Sequence, residues 1–465
     1  MPFKGEYASK IAHNDIIKNP DIIKFLEECP EIPRPEVKEL EEFTNSQQNS
    51  EIFQNCKELE LPKFILSFDG SHYEANADAR YPSRKVGYIK ISGIVLEMDK
   101  YNKLSSDSAK YINPMEVEKL KENTSCLAFA LPGAYTQKLG DNSALESFRR
   151  TVFENFRSEQ SKLGDKNLYD RLFELCLEID KAFLQGHNKF FKFDKCPNKS
   201  CGVNDEYLVP FDDGFTICPH CNNKIFATDV LRVHETFSNM GENVGVFSRL
   251  RNILEHFVLY HYIRHIYEND LNLFAEIGVL FDGPLAIYGE GAKFHSAIMK
   301  SYGKMREECA KRGLKFPLIL GLIKTGRVVE HFMQIKNILP AKTLFAINDK
   351  YRYTFINEQD DKGNKNFGSE TYYGQDFLIK IAENKQFVVC VLYPFKDKTG
   401  NFHEEKIKIK HYDNLNLIIK CLITFGTEMY ENGLIPISLA HKHASISLKP
   451  GGKMLDIFSR KYFNK

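Results

Sequence analysis

The segment FILSFDGSHYE, residues 64–74, decides the fold that this sequence predicts, because an apolar run typical of a buried strand passes directly into Asp69. A second segment, IGVLFDGPLAIYG at 277–289, has the same form and reaches Asp282. Aspartate is unfavourable inside strands and Asp-Gly commonly begins a turn, so we predict that each strand ends at its aspartate. The repetition predicts two carboxylates at neighbouring strand ends.

The rest of the chain alternates between strand and helix patterns. KVGYIKISGIVLEM (85–98) is typical of a hairpin or meander, and the segment at about 246–268 predicts an amphipathic helix. FPLILGLIK (316–324) and QFVVCVLYP (386–394) are further candidates for buried strands. These patterns predict an α/β protein with a mixed sheet flanked by helices.

Changes in composition divide the chain into four regions. We predict an N-terminal helical segment at 1–60, the first half of the core with a helical region at 61–194, a small inserted zinc ribbon at 195–226, and the second half of the core at 227–465.

Composition bounds the function classes. With 465 residues, 43% of them hydrophobic, the chain can bury a large core. Its 63 basic and 62 acidic residues give a net charge of +1, so overall charge provides no argument for a nucleic-acid partner. No run of about 18 apolar residues is present and the first residues lack a secretory apolar core, so we expect a cytoplasmic protein with no membrane partner.

The paired carboxylates point to a metal ion. Neighbouring carboxylates repel each other, and a divalent cation with oxygen ligands is the usual compensation. Manganese or magnesium at such a site suits phosphodiester hydrolysis, because the metal orients the attacking water and neutralises charge on the leaving oxygen. A metal-dependent nuclease is therefore the leading hypothesis, and two ordinary strand-to-turn transitions are the alternative.

Four clustered cysteines predict a second metal site. CPNKSC (196–201) and CPHC (218–221) form two close pairs, the spacing of a tetrahedral zinc site with ligands Cys196, Cys201, Cys218 and Cys221. With all four positions filled by cysteine the site is closed, and a closed zinc site is structural. His220 or His234 could join only by displacing a cysteine. The other cysteines are scattered singly, so we expect no disulfides.

Four motifs in order resemble the NurA nuclease family in a longer, bacterial-style form. They are FILSFDGSHYE, PSRKVGYIKISGIVLEM, VLFDGPLAIYG and the C-terminal IPISLAHKHASI, and the resemblance spans roughly 62–450. It implies a ribonuclease-H-like core, manganese-dependent single-strand endonuclease and 5′-to-3′ exonuclease activity on DNA, a homodimer, and a hexameric HerA-type ATPase as partner.

The same resemblance assigns catalytic and metal-binding roles. Asp69 and Asp282 match the two strand aspartates, and His441 matches the C-terminal histidine. The family also has a helix glutamate and a tyrosine at its site, for which Glu255 and Tyr373 fit best. Competing positions are Glu268, Glu276 and Tyr372.

Two further residues follow apolar runs that we predict to be strands. His441 follows IPISLA, and His443, two residues later, would share its face in a strand, so the pair could supply a metal ligand or a general acid. Lys324 follows LGLI and could bind a phosphate of nucleic acid as a point charge. A hydrogen-bonded structural histidine and a solvated lysine are the ordinary alternatives.

The sequence also lacks a motor motif. No G-x-x-x-x-G-K-[ST] loop is present, so movement along a duplex would need a separate ATPase. Two other functions stay open: a non-catalytic DNA- or protein-binding module that uses the zinc-binding insertion, and a ribonuclease-H-like enzyme that acts on RNA.

Overall fold

A computed structural model of the chain describes residues 13–29, 35–38, 40, 49–56, 58–104, 124–185, 187–357, 366–427, 433–446 and 451–463. The strands are β1 Phe64–Asn76, β2 Lys85–Glu97, β3 Thr124–Pro132, β4 Leu184–Gln185, β5 Asn188–Phe193, β6 Tyr207–Pro210, β7 Phe215–Ile217, β8 Lys224–Phe226, β9 Ile277–Asp282, β10 Leu318–Ile323, β11 Thr343–Ala346, β12 Gly374–Ala382, β13 Lys385–Leu392, β14 Gly426–Thr427 and β15 Gly433–Leu434. The helices are α1 His13–Ile17, α2 Pro20–Glu27, α3 Asn49–Asn55, α4 Met98–Leu104, α5 Ala144–Phe156, α6 Leu168–Ile179, α7 Val244–Asn269, α8 Leu271–Ala275, α9 Phe294–Lys311, α10 Arg327–Ile335, α11 Asp349–Phe355, α12 Phe402–Glu405, α13 Leu415–Phe425, α14 Ile435–Ala444 and α15 Gly451–Phe463.

Eight strands form one mixed sheet in the order β11-β12-β13-β10-β9-β1-β2-β3. The meander β1-β2-β3 is antiparallel, whereas β9 and β10 run parallel to β1. On the other side of the sheet, β13 pairs with β10, β12 pairs with β13, and β11 pairs with β12, all antiparallel. The predicted mixed α/β sheet is therefore confirmed.

Helices cover both faces of this sheet, which explains the continuous apolar runs in its central strands. In β9, Val279 and Phe281 enter the core packed by α5, α6, α7 and α9. Leu280 between them enters the opposite core with residues of α3, α13 and α14. Because successive side chains of a strand point to opposite faces, a strand buried on both sides needs apolar residues throughout.

Strand β1 does not end at Asp69 as predicted. It continues to Asn76 and pairs with β2 along its whole length, whereas its parallel pairing with β9 stops at Phe68 opposite Phe281. Beyond Phe68, β1 is no longer paired with β9 and forms its strand pairs with β2. Polar residues are tolerated there because the hairpin leaves the two-sided interior of the sheet, and Asp69 lies at that point of departure.

The cysteine-rich segment packs directly on the main core. Phe191 of β5 and Phe211, which follows β6, contact Tyr169 and Phe173 of α6 with ring centroids 4.9 to 5.3 Å apart. Cys196 and Cys218 belong to the same buried cluster. The segment therefore has no separate core, and the domain boundaries given above stay predictions.

Within the described ranges, no helix has the length and apolar character needed to cross a membrane.

Candidate metal centre

Two aspartates meet at one edge of the sheet because their strands are parallel neighbours. Asp69 is the first residue of β1 beyond the last β1–β9 pair, and Asp282 is the last residue of β9. With His441 they form a group whose ligand atoms all lie within 4.8 Å of one another. The structure thus brings together three of the predicted site residues.

His441 reaches this edge from a helix, so the predicted strand at IPISLA is wrong. The segment forms α14, with Pro436 in its first turn, where proline is favoured. Its buried residues Ile437, Ala440 and Ala444 have helical spacing and pack against the sheet. At about 100° per residue, His441 and His443 point in different directions instead of sharing a face.

His441 is held by Asp69 but stays open to solvent. Its Nδ1 lies 2.7 Å from Asp69 Oδ2, while the side chain is 56% exposed. Asp69 is buried and accepts a second hydrogen bond from the backbone N–H of Gly70, at 2.8 Å from Oδ1. The carboxylate is therefore fixed, and the imidazole forms the solvent side of the group.

Glu255 on α7 lies directly behind the aspartates. A Cβ atom on Gly70 would come within 2.5 Å of Glu255 Oε1, so only glycine at position 70 lets the helix carboxylate approach β1. Arg251, one turn earlier, donates a short hydrogen bond to Oε1 of Glu255 and a 3.3 Å hydrogen bond to the carbonyl of Gly70. Burial raises the pKa of Glu255 to about 8, and Asp69 and Asp282 add to that rise while Arg251 opposes it.

The competing glutamates lie elsewhere. Glu268 accepts hydrogen bonds from Arg171 and Arg264, and Glu276 accepts one from Lys63 at 2.6 Å. Of the three candidates, Glu255 is the one that lies against β1 beside the two aspartates, so the geometry favours the sequence assignment.

Lys324 contacts a carboxylate in this structure. Lys324 is the first residue after β10, and its Nζ lies 2.8 Å from Asp282 Oδ2. Burial raises the pKa of Asp282; Lys324 opposes that rise and Asp69 adds to it. Lys324 therefore compensates charge at the site, and phosphate binding by this residue stays a prediction.

Tyr373 is not brought to the group. It is fully buried, and its hydroxyl lies 2.6 Å from Nδ1 of His256, whose ring stacks on Phe281. Burial lowers the pKa of His256 to about 3, so the neutral ring can accept this hydrogen bond. The tyrosine supports α7 from behind, and its catalytic role stays a prediction.

Sequence reasoning did not identify Arg251 as a site residue, although a signal was present. An arginine four residues before a buried helix glutamate is the spacing of a helical ion pair.

The group of Asp69, Asp282 and His441 fits a divalent ion. With bonds of about 2.1 Å, ligand atoms of an octahedral ion lie about 3 Å apart when adjacent and about 4.2 Å apart when opposite. The 2.7 Å separation of His441 and Asp69 and the 4.8 Å limit for the whole group require shifts of only fractions of an ångström. Carboxylate oxygens with one imidazole suit manganese or magnesium, and three ligands leave positions open.

The four cysteines form a second, closed group. Cys196 Sγ and Cys221 Sγ lie 3.9 Å apart, as do Cys201 Sγ and Cys218 Sγ, and all four sulfurs lie within 4.8 Å of one another. A tetrahedral zinc with bonds of about 2.3 Å places its sulfurs about 3.8 Å apart. None of the four forms a disulfide.

Backbone turns aim these thiols inward. Burial alone would raise the pKa of Cys218, but hydrogen bonds with the backbone N–H groups of Cys221 and His220 and with the Tyr207 hydroxyl outweigh it and lower the pKa to about 6. This favours the thiolate at Cys218, the form that binds metal, whereas burial raises the pKa of Cys196 in the same group.

Neither nearby histidine is a ligand. His220 lies at the surface, 3.6 Å from Asp205. His234 Nε2 lies 3.1 Å from the carbonyl oxygen of Pro197, and Asp229 beside it forms a buried ion pair with Arg149 of α5. His234 therefore attaches the cysteine segment to the core, and the cysteine-only ligand set agrees with the geometry.

Comparisons with known proteins give a limited result. No protein-family model and no curated protein matches the chain. Among solved structures it is similar to the crystal structure of the NurA nuclease from Sulfolobus solfataricus, with 9% identity, a TM-score of 0.32, and coverage of 96% of this chain and 98% of that chain. It is also similar to NurA bound to dAMP and manganese, with 13% identity, a TM-score of 0.24 and coverage of 95% of each chain. A third structure, NurA with manganese, has 12% identity, a TM-score of 0.26 and coverage of 96% and 97%. Scores this low carry no argument about activity, which is therefore inferred from the residues of this chain.

Proposed function

We propose that this chain is a metal-dependent nuclease that hydrolyses phosphodiester bonds in DNA. The observation that carries the proposal is the meeting of Asp69, Asp282 and His441 within 4.8 Å, with the buried carboxyl of Glu255 behind them. Strand-to-turn transitions alone would not require a third carboxylate, delivered by a separate helix, to lie against the same strand.

Each residue has a distinct task in this proposal. Asp69 and Asp282 hold manganese or magnesium, and Glu255 adds a further oxygen once it loses its proton. When bound, the ion orients the attacking water and neutralises charge on the leaving oxygen. His441 lies on the solvent side, where its imidazole can serve as a further ligand of the ion or as the group that transfers a proton to or from the substrate.

The cysteine group is assigned to one structural zinc per chain. Its four sulfurs leave no open position, so zinc there stabilises the fold and takes no part in hydrolysis.

The choice of DNA, the mode of cleavage and the partner rest on the resemblance to NurA nucleases. On that basis we propose single-strand endonuclease and 5′-to-3′ exonuclease activity, in DNA end processing or antiphage defence, with a hexameric HerA-like ATPase. The absence of a phosphate-binding loop from the sequence supports the need for a separate motor.

Cleavage assays test the catalytic proposal. Purified protein is incubated with single-stranded DNA and with RNA of the same sequence, in manganese, magnesium or EDTA. We expect cleavage of DNA that requires a divalent ion. Equal or preferred cleavage of RNA would favour the RNA enzyme, and no cleavage of either under any condition would favour the binding module.

A second assay tests the partner. Linear duplex DNA is incubated with the nuclease alone, with its cognate HerA-like ATPase and ATP, and with that ATPase carrying a substituted Walker lysine. Because the near-zero net charge gives little nonspecific attraction to phosphates, we expect weak degradation without the motor and strong stimulation only by the intact ATPase. Complete degradation by the nuclease alone would contradict the dependence.

A further inference from the structure

A cavity of about 280 Å³ lies at the edge of the sheet opposite the metal centre. Its walls come from α9, the start of β10, the end of β13 and the segment before α13. The residues that line it include Arg306, Leu314, Phe316, Leu318, Leu392 and Asp413. Strand β10 leads from Leu318 at this cavity towards Lys324 beside Asp282, a path of about 20 Å at about 3.3 Å per residue. The cavity is therefore separate from the metal centre.

Arg306 of α9 brings a positive charge into this cavity. Its guanidinium carbon lies 4.8 Å from the centre of the Phe316 ring, which in turn packs edge-on against Tyr302, one turn earlier on α9. Among the residues that the structure describes, none forms a hydrogen bond or an ion pair with Arg306, and Asp413 attracts it only from a longer distance. Burial lowers the pKa of Arg306, and the attraction of Asp413 does not offset that effect.

Other arginines that this chain buries are paired. Arg149, Arg171 and Arg352 each have a guanidinium nitrogen 2.5 to 2.8 Å from a carboxylate oxygen. Removing a charge from water costs free energy unless an opposite charge with hydrogen bonds compensates it. The partly buried Arg306 has no such compensation from the described residues, so an oxyanion in the cavity would supply what the chain does not.

We propose that this cavity binds a small ligand that carries a phosphate or carboxylate group on an apolar body, with Arg306 binding the oxyanion. The planar guanidinium presents its donors in a fork that matches either group. Leu314, Phe316 and Leu392 form an apolar wall for the rest of the ligand. Ligand sites typically measure about 300–1,000 Å³, so a cavity of this size suits a ligand of about one ring. The proposal does not depend on nuclease activity.

Calorimetric titration of the full chain tests this site. The probes are phenyl phosphate and benzoate, which share a ring and differ in the oxyanion, and inorganic phosphate, which has no apolar body. EDTA is present throughout, so that no divalent ion at the metal centre can attract the oxyanion. We expect at least one ring-bearing probe to bind at least about tenfold more tightly than inorganic phosphate, because its ring leaves water. The tighter of the two identifies a phosphate or a carboxylate ligand.

Three variants assign the binding to Arg306. Arg306→Gln should raise the dissociation constant at least about tenfold, because hydrogen bonds to a charged group are lost. Arg312→Gln is the matched control just beyond the end of the same helix, where Arg312 pairs with Glu308, and it should bind like the wild type. Asp413→Asn should lower the dissociation constant about twofold to threefold, because it removes a carboxylate that repels the oxyanion. Misfolding could not produce such a gain.

Three results would overturn the proposal. The first is a wild type that binds none of the probes. The second is equal binding by Arg306→Gln and the wild type, which would make Arg306 a structural residue stacked on Phe316. The third is equal affinity for inorganic phosphate and both ring-bearing probes, since the apolar wall would then have no part in binding.

Discussion

The two ligand clusters of this molecule differ in how many positions they leave open. Asp69, Asp282 and His441 come from two strand ends and a helix, and the histidine is 56% exposed. Cys196, Cys201, Cys218 and Cys221 come from two turns of one small segment, and two of them are buried in the main core. The first cluster can admit a substrate atom and the second cannot.

The open cluster is suited to catalysis, and the closed cluster is suited to stabilising the fold. Burial raises the pKa of Asp282 in the first cluster and of Glu255 behind it, and the neighbouring carboxylates raise both further, so this arrangement lowers the stability of the metal-free protein. Such an arrangement is expected where function requires it. In the second cluster every ligand can be satisfied by one ion, and the surrounding phenylalanines connect it to α6. Variants of each cluster should therefore fail in different ways.

The largest effect is expected from Asp69→Asn, which removes an anionic ligand and keeps the side-chain shape. The cleavage rate should fall by more than the roughly 10–100-fold loss expected when a residue that only supports a metal ligand is altered. The thermal midpoint should be unchanged or raised. Asp282→Asn should behave alike. Asp78→Asn, on the same hairpin and bonded to Arg80, is the matched control and should keep activity. Wild-type rates for Asp69→Asn at saturating manganese would contradict the site.

Replacing Cys218 and Cys221 with serine should produce the opposite pattern. Zinc content should fall from about one ion per chain to none, and thermal stability should drop sharply, because structural zinc contributes about 10–16 kcal/mol of apparent binding free energy. Below the lowered midpoint, nuclease activity should persist. Cys126→Ser, at an exposed cysteine outside the cluster, should keep its zinc. Metal analysis that finds no zinc in the wild type would overturn the assignment.

Glu255→Gln tests whether the helix glutamate belongs to the first cluster. We expect an intact fold, a loss of about 10–100-fold in cleavage rate, and a higher manganese requirement, because the amide removes the anionic oxygen that Glu255 adds to the ion beside Asp69 and Asp282. Glu276→Gln, which alters a surface ion pair with Lys63, is the control and should be close to wild type. Equal losses in both variants would argue against a specific role for Glu255.

The sequence predicted the ligands of both clusters better than the elements that carry them. Asp69 and Asp282 could be recognised because each follows an apolar run at a sheet edge, and the cysteines because their spacing is local. The continuation of β1 to Asn76 was missed because Asp69-Gly70 suggests a turn, whereas the antiparallel ladder with β2 carries the strand past that dipeptide. Helix α14 could have been recognised, because Pro436 suits a first turn and Ile437, Ala440 and Ala444 have helical spacing.

The smallest effect concerns Glu268, the competitor of Glu255 that belongs to neither cluster. Burial alone would raise its pKa, but hydrogen bonds from Arg171 and Arg264 outweigh burial and lower the pKa to about 2. Because the folded-state pKa lies below the unfolded value, the ion pairs stabilise the protein fully above about pH 4.5, and that stabilisation is lost as the pH falls towards 2. Glu268→Gln should therefore lower the free energy of unfolding by about 1–2 kcal/mol at pH 7, a value discounted for partial exposure, and leave cleavage unchanged.

Urea unfolding of the wild type and of Glu268→Gln at pH 7, 5, 4 and 3 measures this difference in unfolding free energy, which should be constant down to pH 5 and then shrink. A difference that grew on acidification, or a loss of cleavage at pH 7, would show that Glu268 acts with the metal cluster after all.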